Sequence, residues 1–382
     1  MGSRNPLAGS ILVFIVWLTC LTGMNAGRAV QIQRAPIQFP KPPEMTDPDT
    51  VVLTVSVTDK QDNAVPALTQ DQFHVFENGV EQKLTYFWED ARPLTVGFVF
   101  DDSYRMKEDS KNDALRDAGS SFLSAGNLDN EYFIVRTGDS TNVVQSFSKD
   151  PAQMIKVYGS SGSLALYDSI FLGMEYLKEA ANDRKVLLVI TAGGDTCGYS
   201  IMPCCDDHRR VRDQELIEFA LKQPIQIYSL LIDEQMNPDA IVSAYQYAPE
   251  LPCARYPLED FSLTDYGRAP RTVLDTDGAI LIINKIKQFV NRDAIVLDQL
   301  ATITGGQMRG ALNSATGVEH LTAAIARGLK TQYLVGYKSA NALRDGKRRS
   351  LKIKVDSSPD AGKLNVWTSS GTYAAKEKKV KK

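Results

Sequence analysis

Hydrophobic and polar positions along the chain fall into three successive regimes. In VVLTVSVTD (Val51–Asp59), apolar side chains at 51, 53, 55 and 57 are interleaved with polar ones, the period of a strand with one buried face. FHVFENGVEQKLTYF (Phe73–Phe87) predicts two more strands around Asn78-Gly79, a dipeptide suited to the left-handed positions of a hairpin turn. A short turn, Leu68 to Phe73, precedes them. From Pro93 the pattern changes. Leu94 to Phe100 is almost continuously apolar, as expected of a strand covered on both faces.

Ala114, Ala118 and Phe122 then recur at helical spacing, as do Leu166, Ile170, Met174 and Leu177. Strands are predicted at Glu131–Val135, Val143–Phe147, Lys185–Thr191 and Ile225–Ile232. Further helices are predicted through Leu216–Phe219, from Ile280 to Ile303 before Gly305-Gly306, and near Val318–Leu329. Buried strands alternating with helices predict an α/β fold, a doubly wound and mainly parallel sheet. Beyond it, Thr331–Tyr337, Arg348–Asp356 and Lys363–Tyr373 return to strand alternation. Two incomplete β sets therefore flank a complete α/β unit. The expected architecture is an all-β, immunoglobulin-like sandwich built from both ends, with the α/β domain inserted; two separate small β units are the alternative. The corresponding boundaries are 50–90 and 330–375 for the β parts and 91–329 for the α/β domain.

The N-terminal residues predict export. Arg4, the apolar run Ile11–Leu18 and the small residues around Ala26-Gly27 follow the plan of a secretory signal peptide, assigned to 1–29. The run falls short of the roughly 20 apolar residues of a membrane span. The expectation is thus an exported protein, periplasmic or extracellular, touching a membrane only if this segment stays on as an anchor. A proline-rich linker, 30–49, follows. Export changes the reading of Cys197, Cys204, Cys205 and Cys253, which remain once Cys20 leaves with the signal. In an oxidising compartment an even set predicts disulfides. Because Cys204 and Cys205 are neighbours, one is expected to close a short loop to Cys197 and the other to reach Cys253. A zinc site with His208 is the rival reading, and adjacent ligands fit zinc spacing badly.

Composition adds mainly exclusions. With 43% hydrophobic and 23% charged residues and a formal net charge of -3, nothing points to nucleic acid. The basic run at 376–382 reads as a solvated tail. No G-x-x-x-x-G-K-[ST], H-E-x-x-H or G-x-S-x-G motif occurs, and the three histidines lie in separate segments. No enzymatic activity is expected.

Three segments carry candidate chemistry, two at the ends of buried strands and one opening a helix: VGFVFDDSYRM (Val96–Met106), VLLVITAGGDT (Val186–Thr196) and GSLALYDSI (Gly162–Ile170). In their order and spacing they resemble a von Willebrand factor type A domain. The flanking VSVTDKQDNAVPALTQDQFHVFENG, TQYLVGY and GTY resemble the exported acidobacterial VWFA-related family, over roughly residues 50–375 allowing for ordinary boundary error. That resemblance implies a metal-ion-dependent adhesion site of pattern D-x-S-x-S, a threonine on a second loop and an aspartate on a third. Asp101 and Ser103 keep their places. Arg105 stands where the second serine is expected, Leu164 where the threonine is, and Ala192 where the aspartate is.

Three oxygen ligands are thus missing and a fixed positive charge is present. Two positive charges 4 Å apart repel by roughly 4 kcal/mol at an effective dielectric of about 20, and Mg²⁺ wants six oxygens. The expectation is no cofactor, with Arg105 pairing with Asp101 in the ion's place. Mg²⁺ retained through Asp101, Asp102, Ser103 and Asp195 is the alternative. The expected function is recognition of a protein ligand, through an acidic side chain, by the loops at Asp101–Arg105, Gly159–Leu164 (with Ser163) and Cys197–His208. A scaffold or envelope-assembly subunit is the second reading.

Overall fold

A computed structural model describes residues 40–44, 50–103, 106, 109–138, 141–149, 164–193, 211–233, 292–312, 315–341, 348–356, 362–368 and 372–374. Two groups of elements make up this region, an α/β half and a β half.

The α/β half is a six-stranded sheet. In chain order its strands are β5 (Leu94–Asp101), β6 (Glu131–Thr137), β7 (Thr141–Ser148), β8 (Arg184–Thr191), β9 (Ile225–Asp233) and β10 (Met308–Leu312). They lie side by side as β10-β9-β8-β5-β6-β7. All neighbours are parallel except the edge strand β7, which runs antiparallel to β6. β5 is central, and every one of its residues is buried. Leu94, Val96, Phe98 and Phe100 project into one core with Leu115, Ala118 and Phe122 of α1 (Asp109–Ala125) and with Val318, Ile325 and Leu329. Val318 and Ile325 belong to the last helix of the half, Ala315–Gly328.

The opposite face packs Val99, Phe133 and Val189 against Tyr167, Ile170 and Met174 of α2 (Leu166–Tyr176) and Leu216 of α3 (Asp213–Ala220). It also packs them against Val296, Leu297 and Leu300 of α4, the helix over 292–304. The last helix, Ala315–Gly328, is therefore α5. Each fully buried side chain of this size contributes about 1.5–3 kcal/mol, which is why the largely apolar run of β5 sits at the centre. Gly97 interrupts that run for a steric reason: a Cβ there would lie 2.3 Å from the Phe133 ring.

The β half consists of two four-stranded sheets. One is ordered β13 (Asn365–Thr368), β1 (Thr50–Thr58), β11 (Gln332–Lys338) and β4 (Leu84–Asp90). The other is ordered β14 (Thr372–Ala374), β12 (Arg348–Val355), β2 (Phe73–Glu77) and β3 (Val80–Gln82). Each sheet mixes strands from before and after the α/β half. Val55 of β1 opposes Tyr333 of β11, and Val75 of β2 opposes Ile353 of β12. Leu53, Val55, Val57, Tyr333 and Val335 of one sheet share a core with Phe73, Val75 and Leu351 of the other. Across that core the Tyr337 hydroxyl donates to the buried Glu77 carboxylate at 3.0 Å, and Arg349 Nη1 donates to the same carboxylate at 3.3 Å.

Three details depart from the sequence reading. Phe73–Phe87 holds parts of three strands, because after the Asn78-Gly79 turn (φ 49° and 81°) β3 stays with β2 while β4 crosses to the other sheet. The run Lys363–Tyr373 contains two strands, β13 and β14, which belong to different sheets. The edge strand β10 was not expected at all. It is five residues long and gains its strand conformation by parallel pairing with β9, a long-range contact with no local signature.

Candidate functional site

In chain order the strands of the α/β sheet sit 3-2-1-4-5-6, counting β5 as the first. The order reverses between β5 and β8, and ligand crevices form beyond the carboxyl ends of strands at such a switch point. β5 ends there in Asp101 and β8 in Thr191. The loops that follow bring Asp102, Ser103 and Ala192 to the same edge, and Leu164 arrives from the segment leading into α2.

All of these side chains are buried: Asp101 0%, Asp102 4%, Ser103 1%, Leu164 2% and Ala192 0% exposed. Asp101 is fully engaged. Its Oδ1 accepts from the Ser103 amide at 2.9 Å. Its Oδ2 accepts from the Thr191 hydroxyl at 2.7 Å and the Ala192 amide at 3.0 Å. The Thr191 oxygen in turn accepts from the Gly193 amide at 2.8 Å. Asp102 is set differently. Its amide donates to the Thr137 carbonyl at 2.8 Å, and its Oδ2 lies 3.5 Å from Arg136 Nε. Burial pushes its carboxyl up to about 7, with the neighbouring Asp101 acting in the same direction and Arg136 against it.

The second loop is pinned by the Ala165 amide, which donates to the Gly138 carbonyl at 3.0 Å. Around it the amino ends of three helices are cross-tied. The Tyr167 hydroxyl donates to Asp293 at 2.7 Å, the Val211 amide donates to Asp168 at 2.9 Å, and Arg292 donates to Asp213 at 2.7 Å. Carboxylates at these positions also complement the helix dipoles.

The resemblance in the sequence implies a divalent cation here, so the donor set is the test. Asp101 has spent both oxygens on the protein's own donors. Leu164 and Ala192 carry no side-chain oxygen. The buried Ser103 and Thr137 hydroxyls are without a hydrogen-bond partner among the described residues. Among the described residues, these two neutral hydroxyls and an Asp102 carboxylate that already faces Arg136 do not make the six-oxygen octahedral shell of Mg²⁺. Among the described residues no three His, Cys, Asp or Glu side chains converge on a point that could hold a metal.

The structure thus brings together five of the candidate residues, Asp101, Asp102, Ser103, Leu164 and Ala192. Arg105, Ser163 and Asp195 lie outside the described residues, as do Cys197, Cys204, Cys205 and Cys253. The expected Arg105–Asp101 pair therefore has no described geometry. Sequence reasoning missed Thr191, Thr137 and Arg136. Thr191 could have been noticed, since it ends a buried strand as a hydroxyl immediately before Ala192-Gly193-Gly194. Arg136 carries no local signal, because only pairing of β6 with β5 brings it to Asp102.

No family profile matches the chain, and no curated protein does. Among solved structures the chain is similar to the conserved hypothetical protein BatB from Bacteroides thetaiotaomicron, at 14% identity over 63% of this chain and 100% of that one, with a TM-score of 0.37. It is similar to a von Willebrand factor type A structure from Catenulispora acidiphila, at 8% identity over 85% and 72% of the two chains and a TM-score of 0.38. The PilB minor pilin from Streptococcus sanguinis is similar at 12% identity over 62% of this chain and 61% of the pilin, TM-score 0.38. Likeness this distant carries no functional argument, and the reading below rests on the site itself.

Proposed function

We propose that this chain is an exported, non-enzymatic binding protein. On this reading it recognises a protein ligand with the loops at the carboxyl edge of its α/β sheet, and it does so without a metal. The observation that carries the proposal is the threefold hydrogen bonding of Asp101. Those bonds fix the first and third loops to one another through the chain's own donors, which is the service a bridging cation would otherwise perform. Arg105, two residues beyond Ser103, is assigned to receive an acidic side chain of the ligand by a bidentate pair. What supports export is the basic, apolar and small-residue plan of the first 29 residues. Disulfides among the four later cysteines and an immunoglobulin-like identity for the β half belong to the same reading.

The test is a pull-down from the cell envelope with the full mature chain, in parallel arms containing EDTA or Mg²⁺, and with Arg105→Ala. The reading expects the same captured protein in both arms and reduced capture by the variant. Capture only with Mg²⁺ would overturn metal independence, and undiminished capture by Arg105→Ala would overturn the assignment of that residue.

A further inference from the structure

The chain crosses between its two halves twice, and both crossings are short. The first runs from Asp90, the last residue of β4, through Ala91, Arg92 and Pro93 into β5. The second runs from α5 through Leu329, Lys330 and Thr331 into β11. Arg184 belongs to neither. It opens β8 at the amino end of the sheet, and its side chain is only 8% exposed.

From there its guanidinium reaches both crossings. Nη1 donates to the Arg92 carbonyl of the first. Nη2 donates to the Leu329 carbonyl of the second at 2.8 Å and to the Gln332 side-chain oxygen at 3.0 Å. Its Nε lies 3.9 Å from the buried Asp90 carboxylate, which also accepts Arg92 Nε and Nη2, each at 2.9 Å. Gln332 extends the network, donating to Ser56 Oγ of β1 at 2.7 Å and to Gln226 of β9 at 2.9 Å. A planar fork with five donors can reach this many acceptors at once; a lysine ammonium cannot. The halves also meet at a second attachment, where Arg309 of β10 holds both oxygens of Asp62, at 3.2 and 2.9 Å.

We propose that Arg184 is an orientation clamp, a single buried guanidinium tying both covalent crossings so that the α/β half and the β half move and unfold as one body. A carboxyl-edge surface on such a body keeps a constant attitude to the β half. The proposal does not depend on what that surface binds.

The test compares the full chain with Arg184→Met, an unbranched side chain that keeps apolar packing and loses the fork. Amide exchange is followed at Arg92, Leu94, Leu329 and Lys330, with Phe98 and Val335 reporting whether each half stays folded. Trypsin supplies an independent readout at Lys330, which is exposed. The wild type should show one unfolding transition and slow cleavage after Lys330. In the variant, exchange at both crossings should rise about tenfold or more while Phe98 and Val335 stay protected, the signature of local opening. Cleavage after Lys330 should rise with it. Unchanged exchange and cleavage would overturn the clamp, as would an equal rise at all six amides, which would mark a merely global loss of stability. Should Arg184→Met fail to fold, Gln332→Met decides: faster exchange confined to 329–332 supports the clamp, and wild-type behaviour there overturns it.

Discussion

The Thr191 hydroxyl donates to the Asp101 carboxylate at 2.7 Å across the point where the order of the sheet reverses. These residues end neighbouring strands, and the bond closes the carboxyl edge between them. Thr191→Val keeps the shape, takes one of its two donors from the buried Asp101 Oδ2, and removes the hydroxyl that accepts the Gly193 amide. It should cost about 1–3 kcal/mol, read as a lower denaturant midpoint with an unchanged slope. Thr191→Ser should recover most of the loss, because it restores the donor; no recovery would assign the effect to packing instead.

Metal independence has a simple physical readout. A cation bound to the native state at 100 times its dissociation constant would add about 2.7 kcal/mol to stability. Thermal unfolding of the full chain should therefore be the same in EDTA and in millimolar Mg²⁺ or Mn²⁺. A reproducible rise in Tm with either ion, reversed by EDTA, would refute the proposal.

Two glycines close in sequence, Gly306 and Gly310, predict opposite outcomes. A Cβ on Gly306 would lie 1.8 Å from the Ile227 carbonyl oxygen, which is backbone and cannot step aside. Gly306→Ala should cost about 3 kcal/mol as an overpacked site and loosen the pairing of β9 with β10. Gly310, in β10 itself, has nothing within 4 Å of its would-be Cβ. Gly310→Ala should stay within about 0.5 kcal/mol of wild type. Equal denaturant midpoints for the two variants would show that the close approach at Gly306 is not a constraint.

His74 gives the β half a pH response of defined sign. Hydrogen bonds to Glu81 at 2.8 Å and to Asp356 at 3.2 Å raise its pKa above the usual 6.5. A raised folded-state pKa means that the contribution is complete below the unfolded value and fades as pH rises through the folded one. His74→Gln should therefore flatten the stability profile on the alkaline side of 6.5 and leave other regions unchanged. Titration of the imidazole by NMR checks the direction; a pKa at or below 6.5 would remove the basis for it.

Much of the α/β half was legible because its signals are local. The apolar run from Leu94 to Phe100 has no solution except a strand covered on both faces, and the alternation from Val51 to Val57 predicts one buried face. Asp101, Asp102 and Ser103 stood out because polar residues end an otherwise apolar strand, and the structure does bring them to the edge with Leu164 and Ala192. Sheet membership was not legible. Nothing in Leu84–Asp90 says that it leaves β3 for the other sheet, and nothing in Met308–Leu312 announces a strand before β9 is there to pair with it.

By itself the sequence determined which segments must be buried and where they stop. These follow from side-chain chemistry and short-range periodicity. Only the tertiary structure decided that Thr191 and two backbone amides satisfy Asp101, and that Arg184 reaches Arg92, Leu329 and Gln332 at once. Hydrogen bonds between residues far apart in the chain depend on how strands order themselves in a sheet. That order is chosen by the packing of whole faces, on which no single segment carries the information.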